Sequence, residues 1–507
     1  MFMVPQSIAR SPELLIQTLP ESRSTENLNT ENLNTENLNT ENLNTEKLRS
    51  SHASKPMDNL GFSSLETLEI AFEMTLDFLA TLRTQQEQFT LSLMAEQSQF
   101  CRFNRSKVRQ TGQILDASLR LTWIANGRSS YREFPLSGDW KYDRALIETC
   151  VVDLRNEIPQ LPENPYLVEP KGNSTSHSIY NGQLLEPHQV MYEVLSSVTD
   201  LDFVGIYSAG WSVRAYGDSV GQHHWFMSEA FSLDYSLFNT AGQAVKGIYA
   251  GSIWHPDTYR LNLEQSRLQL RRQSRPSKRL DRGKYRTYLA PAAVAELIPM
   301  MSWGGVSEAD LRQGGSWLLA MRQGDRQLSK KLNLIENFGR GTVPRFNELG
   351  EVAPEQLTIL NQGQLENTLI SSRTAKEYGL MSNGATQGEE LRAPEILPGE
   401  IAVADILSKL DTGIYVSNLH YLNWSDRPQG RLTGMTRYAC FWVEGGELMA
   451  PIEHLRFDDS LYSFWGENLM GLTDTQECIP NVESYDRRSI ATRWTPGMLI
   501  EDFTYTL

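Results

Sequence analysis

Apolar positions along this chain change period several times, and each change marks an element. From Leu65 they recur at Leu68, Phe72, Leu76 and Leu79, the stripe of an amphipathic helix ending near residue 84. Ser63-Ser64-Leu65-Glu66 reads as its capping box, with Ser63 at the N-cap and Glu66 at N3. Runs of period two follow at 88–94, 100–108 and 114–124, and Asn126-Gly127 turns the last of them into 129–134. Helical spacing returns over 142–158. Residues 162–182, rich in Pro, Asn, Gly and Ser, read as a loop or linker. A helix at 189–198 precedes three alternating runs, 202–214, 223–235 and 244–252. His255-Pro256 then opens a long polar helix at about 257–273.

Beyond residue 284 the pattern is mostly strand and turn. A strand at 284–289 leads into an apolar helix at 291–301, which stops at Gly304-Gly305. Residues 355–375 read as strand, Gln362-Gly363 turn, strand and then Ser372-Arg373-Thr374-Ala375. Residues 386–398 read as a loop, 399–410 as a strand into a short helix, and 412–423 as a strand. The stretch 435–444 is rich in aromatic and branched residues and breaks at Gly445-Gly446 before a second run, 447–457. Tyr438, Phe441 and Trp442 give this strand–turn–strand unit the apolar surface of a core hairpin. One more strand is expected at 492–506. The whole is an α+β fold: an N-terminal domain at 57–283 with an antiparallel sheet and long helices, then a β-rich domain at 284–507.

Residues 25–45 repeat the pentapeptide Thr-Glu-Asn-Leu-Asn. A period of five puts no leucine stripe on one face of a helix or strand, so 1–56 is expected to be a disordered, low-complexity tail. The net charge of −15 argues against a general nucleic-acid binder, which needs a basic stripe to neutralise phosphates. A local basic stretch does run through Arg267, Arg271, Arg272, Arg275, Lys278, Arg279, Arg282, Lys284 and Arg286. It reads either as a solvated helix face and linker or as a site for an anionic partner or a peptide carboxylate. Cys101, Cys150, Cys440 and Cys478 are too dispersed for a disulfide framework or a zinc knuckle. With no apolar run of about 20 residues and no signal-peptide pattern, no membrane association and a cytoplasmic location are expected.

Three ordered segments carry a resemblance. They are Ser372-Arg373-Thr374-Ala375, Gly379 with Ser382-Asn383-Gly384-Ala385, and Gly434 with Phe441-Trp442-Val443-Glu444-Gly445-Gly446-Glu447 and Ala450-Pro451-Ile452. Together they resemble the TldD/PmbA ("modulator of gyrase") family of metallopeptidases, over roughly 285–507. The resemblance implies a helix bearing His-Glu-x-x-x-His, plus a cysteine ligand near the C-terminus. Two imidazoles on successive turns hold the zinc, and the Glu activates its water. The equivalent helix here, 291–305, has Glu296, Pro299, Met300, Met301, Ser302 and Trp303 but no histidine. Cys478 sits near the place of the cysteine ligand and reads as a buried free thiol. His223-His224 would point to opposite faces of a strand.

No catalytic and no metal-binding residue is therefore assigned, and no cofactor is expected in this chain, zinc belonging to a partner subunit. The resemblance also implies a groove for extended peptide. Ser382, Asn383, Gly384, Ala385, Thr433, Gly434 and Met435 are its candidate lining, because glycine lets a backbone approach closely. Each of these segments could equally be a turn. The primary expectation is the zinc-less, PmbA/TldE-like partner subunit of a cytoplasmic metalloprotease that processes unfolded peptides, dimeric with a zinc-bearing relative. The alternative is a stand-alone, homodimeric peptide- or protein-binding module. A third reading is a metal-independent hydrolase built on Ser417, His420 and Asp426, although no nucleophile-elbow motif supports it.

Overall fold

The computed structural model describes residues 64–483 and 487–506; the repeat-bearing segment 1–56 and the expected N-cap Ser63 lie outside them. Helix α1 (Leu65–Leu82) buries Leu68, Phe72, Thr75 and Leu79, as its periodicity requires. Its capping box lies one residue later than expected. The Ser64 hydroxyl accepts from the Thr67 amide, and Thr67 Oγ1 accepts from the Ser64 amide, both at 3.3 Å.

The first sheet comprises β1 (Glu87–Asn104), β2 (Lys107–Ala125), β3 (Arg128–Pro135), β4 (Thr175–Tyr180), β5 (Asp202–Asp218), β6 (His223–Phe238) and β7 (Ala244–Gly251). The helices α2 (Trp140–Glu157), α3 (Pro187–Leu195) and α4 (Pro256–Gln273) complete this lobe. Strand order is β3-β2-β1-β5-β6-β4, with β7 also on β6. The three short strands expected between 88 and 124 are two long ones. They turn at Arg105 and Ser106, both at positive φ (51° and 55°), which is a tight two-residue hairpin without the glycine that would have announced it. Strand β4 lies inside the expected linker and runs parallel to β6, so the partner rather than the composition decides its structure.

Alternation along these strands separates two faces. Phe89, Leu91, Leu93, Ala95, Cys101 and Phe103 of β1 point to the helices, with α1 and α2 over one end of the sheet and α3 and α4 over the other. The opposite face is small and polar, with Ser98 on β1, Ser208, Gly210 and Ser212 on β5, and Ser228, Ala230 and Ser232 on β6. That face looks toward the second lobe.

The second lobe contains β8 (Gly283–Leu289), the short helices α5 (Pro291–Ala295), α6 (Ile298–Ser302), α7 (Glu308–Arg312) and α8 (Leu319–Arg322), then β9 (Leu334–Asn337), β10 (Gln356–Asn361) and β11 (Gln364–Leu365). Helix α9 (Ser372–Tyr378), β12 (Pro394–Ile396), α10 (Ile406–Leu410), β13 (Gly413–Val416), β14 (Asn418–Asp426), β15 (Arg431–Arg437), β16 (Phe441–Glu444) and β17 (Glu447–Pro451) follow. The lobe closes with β18 (Arg456–Ser460), β19 (Leu469–Pro480) and β20 (Thr492–Tyr505). All thirteen strands belong to one mixed sheet whose hub is β20, paired with β8, β12, β18 and β19. Met498, Leu499, Ile500, Phe503 and Tyr505 of β20 are fully buried in the lobe's core, beside Trp317 and Trp465. The fold is α+β, as the pattern predicts.

Three expectations here need correction. The helix expected over 291–301 breaks at Glu296-Leu297 into α5 and α6, because Pro299 has no N–H for residue 295 and its ring crowds that carbonyl. The strand expected over 435–444 breaks at Tyr438, at φ 59°, so β15 and β16 belong to different branches of the sheet. Residues 399–405 supply an isolated bridge, Ile401 to Thr473, and a 3-10 turn, Val403–Asp405, instead of a strand.

The hairpin of β16 and β17 is core, as expected: Ala439 and Phe441 pack into the same apolar cluster as α3 and α4. Two members of the basic stretch, Arg275 and Lys278, reach this hairpin, and two others pair elsewhere. Arg267 pairs with Asp200 at 2.8 Å, Arg275 donates to the Met449 carbonyl at 3.1 Å, Lys278 stands 4.0 Å over Trp442, and Arg286 pairs with Glu501 at 2.8 Å. The described residues, 64–483 and 487–506, pack as one unit. Among the described residues no helix is long and apolar enough to cross a membrane.

Candidate functional site

Strand β8 feeds directly into α5, and Thr495 Oγ1 of β20 donates to the Pro291 carbonyl at 2.9 Å, fixing the start of the helix against the hub strand. This is where the resemblance implies zinc. Around that turn Ala293, Val294, Ala295, Leu297, Ile298, Met300 and Met301 are buried apolar side chains, and Glu296 is the one ligand-type residue between Pro291 and Ser302. Cys478 lies on β19 opposite Trp494; burial pushes its thiol up to about 12 against the pull of Arg340, so it is protonated at neutral pH. Among the described residues no group of three or more His, Cys, Asp or Glu is placed to hold a metal ion. A zinc site needs deprotonated soft donors in such a group, so these residues do not fit the ion.

What stands near the turn is a group of charged side chains drawn from both lobes. Glu296, at the end of α5, and Glu477, on β19, are both reached by water. Both are nonetheless recessed enough that burial raises their carboxyls, with Arg493 and Lys246 opposing the rise at Glu296. Arg493 is the second residue of β20, and Lys246 comes from β7 of the other lobe, where it pairs with Asp234 at 2.6 Å. The Tyr288 and Tyr415 rings lie 5.4 Å apart beside Glu477, and the hydroxyl of Tyr288 passes so close to Gly497 that a Cβ there would sit 2.2 Å from it. Its carboxylates can accept from N–H groups and ammonium, and its cations can donate to carboxylates. Of these, Glu296 is visible in the sequence as part of the 291–305 helix, whereas Glu477, Arg493 and Lys246 carry no motif. The only signal at Arg493 and Lys246 is a charge at an inward position of a strand that is otherwise apolar.

The expected groove residues fall in two places. Ser382 lines a cavity of about 800 Å³ between the loop at 164–171 and α9, where its hydroxyl donates to Glu351 at 3.1 Å and Ser372 donates to the same carboxylate. Asn383 is tied to the main chain of Ile370 and Thr368 at 2.9 and 2.7 Å. Gly384 holds φ 78° and lies against Ala353, and the Ala385 carbonyl accepts from Asn347 at 2.7 Å. This segment is a bonded turn. Thr433, Gly434 and Met435 lie on β15, which pairs with β14 on one side and β18 on the other, so its main chain is committed and offers no free edge to a peptide. The two segments are thus different features.

The remaining candidates are also placed apart. Ser417 is buried and donates to the Arg437 carbonyl at 3.2 Å. His420 and Asp426 stand six positions apart on β14, about 20 Å along a strand, so the three cannot form a relay. His223 pairs with Glu73 of α1 at 2.6 Å, whereas His224 is buried on the other face, against Ser176 at 2.8 Å and stacked on Phe346. The four cysteines are unpaired.

Comparison with known proteins agrees with this architecture. Residues 282–506 match the PmbA/TldA metallopeptidase C-terminal domain. No curated protein matches the chain. Among solved structures the chain is similar to a candidate modulator of a DNA gyrase from Thermotoga maritima (14% identity, TM-score 0.69, covering 87% of this chain and 100% of that one). It is similar also to TldE from Thermococcus kodakarensis (13%, TM-score 0.67, 86% and 100%). A candidate modulator of DNA gyrase from Bacteroides thetaiotaomicron shows the same fold (16%, TM-score 0.67, 87% and 99%). With the domain match and the motifs of residues 372–452 in agreement, residues 282–506 form a TldD/PmbA-family C-terminal domain.

Proposed function

We propose that this chain is a zinc-less, PmbA/TldE-like subunit that works in the cytoplasm with a zinc-bearing relative to process unfolded peptides. The observation that carries the reading is the α5–α6 turn: where the family's metal helix is expected this chain has an apolar, proline-broken corner, with the charged side chains of Glu296, Glu477, Arg493 and Lys246 near it. The likeness in fold to TldE supports the same assignment. In this reading the chain grips peptide, and the partner cuts it.

The test is co-expression of the full chain with a zinc-bearing member of the family. The expected result is an equimolar complex with one zinc per pair that cleaves an unstructured peptide, with the chain alone inactive. Robust cleavage by the chain alone would overturn the assignment. Recovery only of a self-dimer that binds peptide would replace it with the stand-alone binding module.

A further inference from the structure

The polar face of the first sheet is roofed by a segment of the other lobe. Between β19 and β20 the chain reaches back, and Arg488 lies down on the sheet: its guanidinium donates to the Gly210 carbonyl at 2.6 Å and the Ala230 carbonyl at 2.7 Å, and its amide donates to Glu96 at 3.0 Å. Arg487 pairs with Asp116 at 2.5 Å. Gly210 is required beneath this contact, since a Cβ there would lie 2.0 Å from the Gln97 carbonyl. Beside the roof a cavity of about 590 Å³ opens over the sheet.

Its lining is divided by chemistry. Phe100, Ile114 and Ile206 form an apolar wall, and Ser98, Ser208 and Ser236 add hydroxyls. Four cations, Arg102, Lys246, Arg487 and Arg488, face two carboxylates, Glu96 and Asp234. Asp116 engages Arg487 and Asp234 engages Lys246, while the Arg488 guanidinium rests on carbonyls. Arg102 is exposed at the cavity and has no ion pair or side-chain hydrogen bond among the described residues. The site is therefore short of negative charge in a chain whose net charge is −15.

We infer that this cavity is a carboxylate subsite that takes the free C-terminus of a peptide ending in an apolar residue: Arg102, with Arg488 behind it, meets the carboxylate, and the Phe100–Ile114–Ile206 wall meets the last side chain. Lys246 lines the cavity and is held there by Asp234 at 2.6 Å. The inference rests on the peptide-binding reading above for the identity of the ligand, though not for its chemistry.

Three fluorescent peptides of one neutral, unstructured sequence ending in leucine test it by anisotropy on the full chain: a free acid, its C-terminal amide, and an amide carrying an internal glutamate. N-acetyl-leucine, read by saturation-transfer NMR, is the small probe. The free acid is expected to bind about tenfold more tightly than either amide, and Arg102→Gln to abolish that difference with the melting temperature unchanged. Equal affinity of acid and amide, or no effect of Arg102→Gln, overturns the subsite. Binding of the glutamate-bearing amide as tight as that of the acid reassigns it to acidic side chains and overturns the terminal assignment. Arg102-dependent binding of N-acetyl-leucine with no peptide binding sustains the subsite and overturns the peptide-processing reading instead; binding of neither probe overturns the subsite.

Discussion

Replacing Arg488 with methionine keeps most of the side chain's stem and removes its donors. Two charge-assisted bonds, to Gly210 and Ala230, are lost, and bonds of that kind contribute about 1.5–3 kcal/mol each. The adjoining cavity admits water to the freed carbonyls, so the lower end applies and the two together amount to about 3 kcal/mol. The loss falls on the docking of one segment and only indirectly on either core, which makes limited proteolysis the sensitive assay. If the segment between β19 and β20 opens locally, 3 kcal/mol raises its open population on the order of 100-fold, and nicking there by a protease accelerates correspondingly. The melting temperature should fall by a few degrees. Nicking within about twofold of the parent rate would refute the claim that Arg488 pins the roof to the sheet.

Three further outcomes are expected. Glu308 is buried among Arg312, Arg322 and Thr368; burial alone would raise its carboxyl, but these partners prevail and hold it at about 2. Its folded value lies below its unfolded one, so its contribution of about 3 kcal/mol is present above pH 4.5 and is lost as pH falls toward 2. Urea midpoints at pH 6 and pH 3 should differ less in Glu308→Gln than in the parent. Gly384→Ala places a Cβ 2.7 Å from the Ala353 backbone at φ 78°, and thermal melts should show a loss of about 2 kcal/mol or more. The Cys478 thiol, pushed up to about 12, should resist iodoacetamide at pH 8 in the folded protein and react after unfolding, as peptide mapping would read.

What the sequence disclosed was local and periodic. The stripe of α1, the polar helix α4 and the Glu444–Glu447 turn were legible because one-faced burial, helical spacing and a Gly-Gly pair each leave a short-range mark. The β1–β2 turn was not, because Arg105 and Ser106 take left-handed conformations that their side chains do not advertise. Strand β4 hides in a linker composition because its order comes from β6, more than 40 residues away. For the site, the missing histidines were plain in the sequence, but the charged group was not. Lys246 and Arg493 meet Glu296 only through the packing of two lobes, and the Arg488 roof joins residues 278 positions apart at Gly210. No window on one chain segment contains such a juxtaposition.

Under the proposed assignment the chain binds peptide but no zinc. Native mass spectrometry of the full chain, expressed alone with excess zinc and titrated with an unstructured peptide, addresses this most directly. The expected spectrum shows the chain binding peptide at unchanged mass otherwise, with less than one-tenth carrying zinc. A stoichiometric zinc adduct that disappears in Cys478→Ser would contradict it.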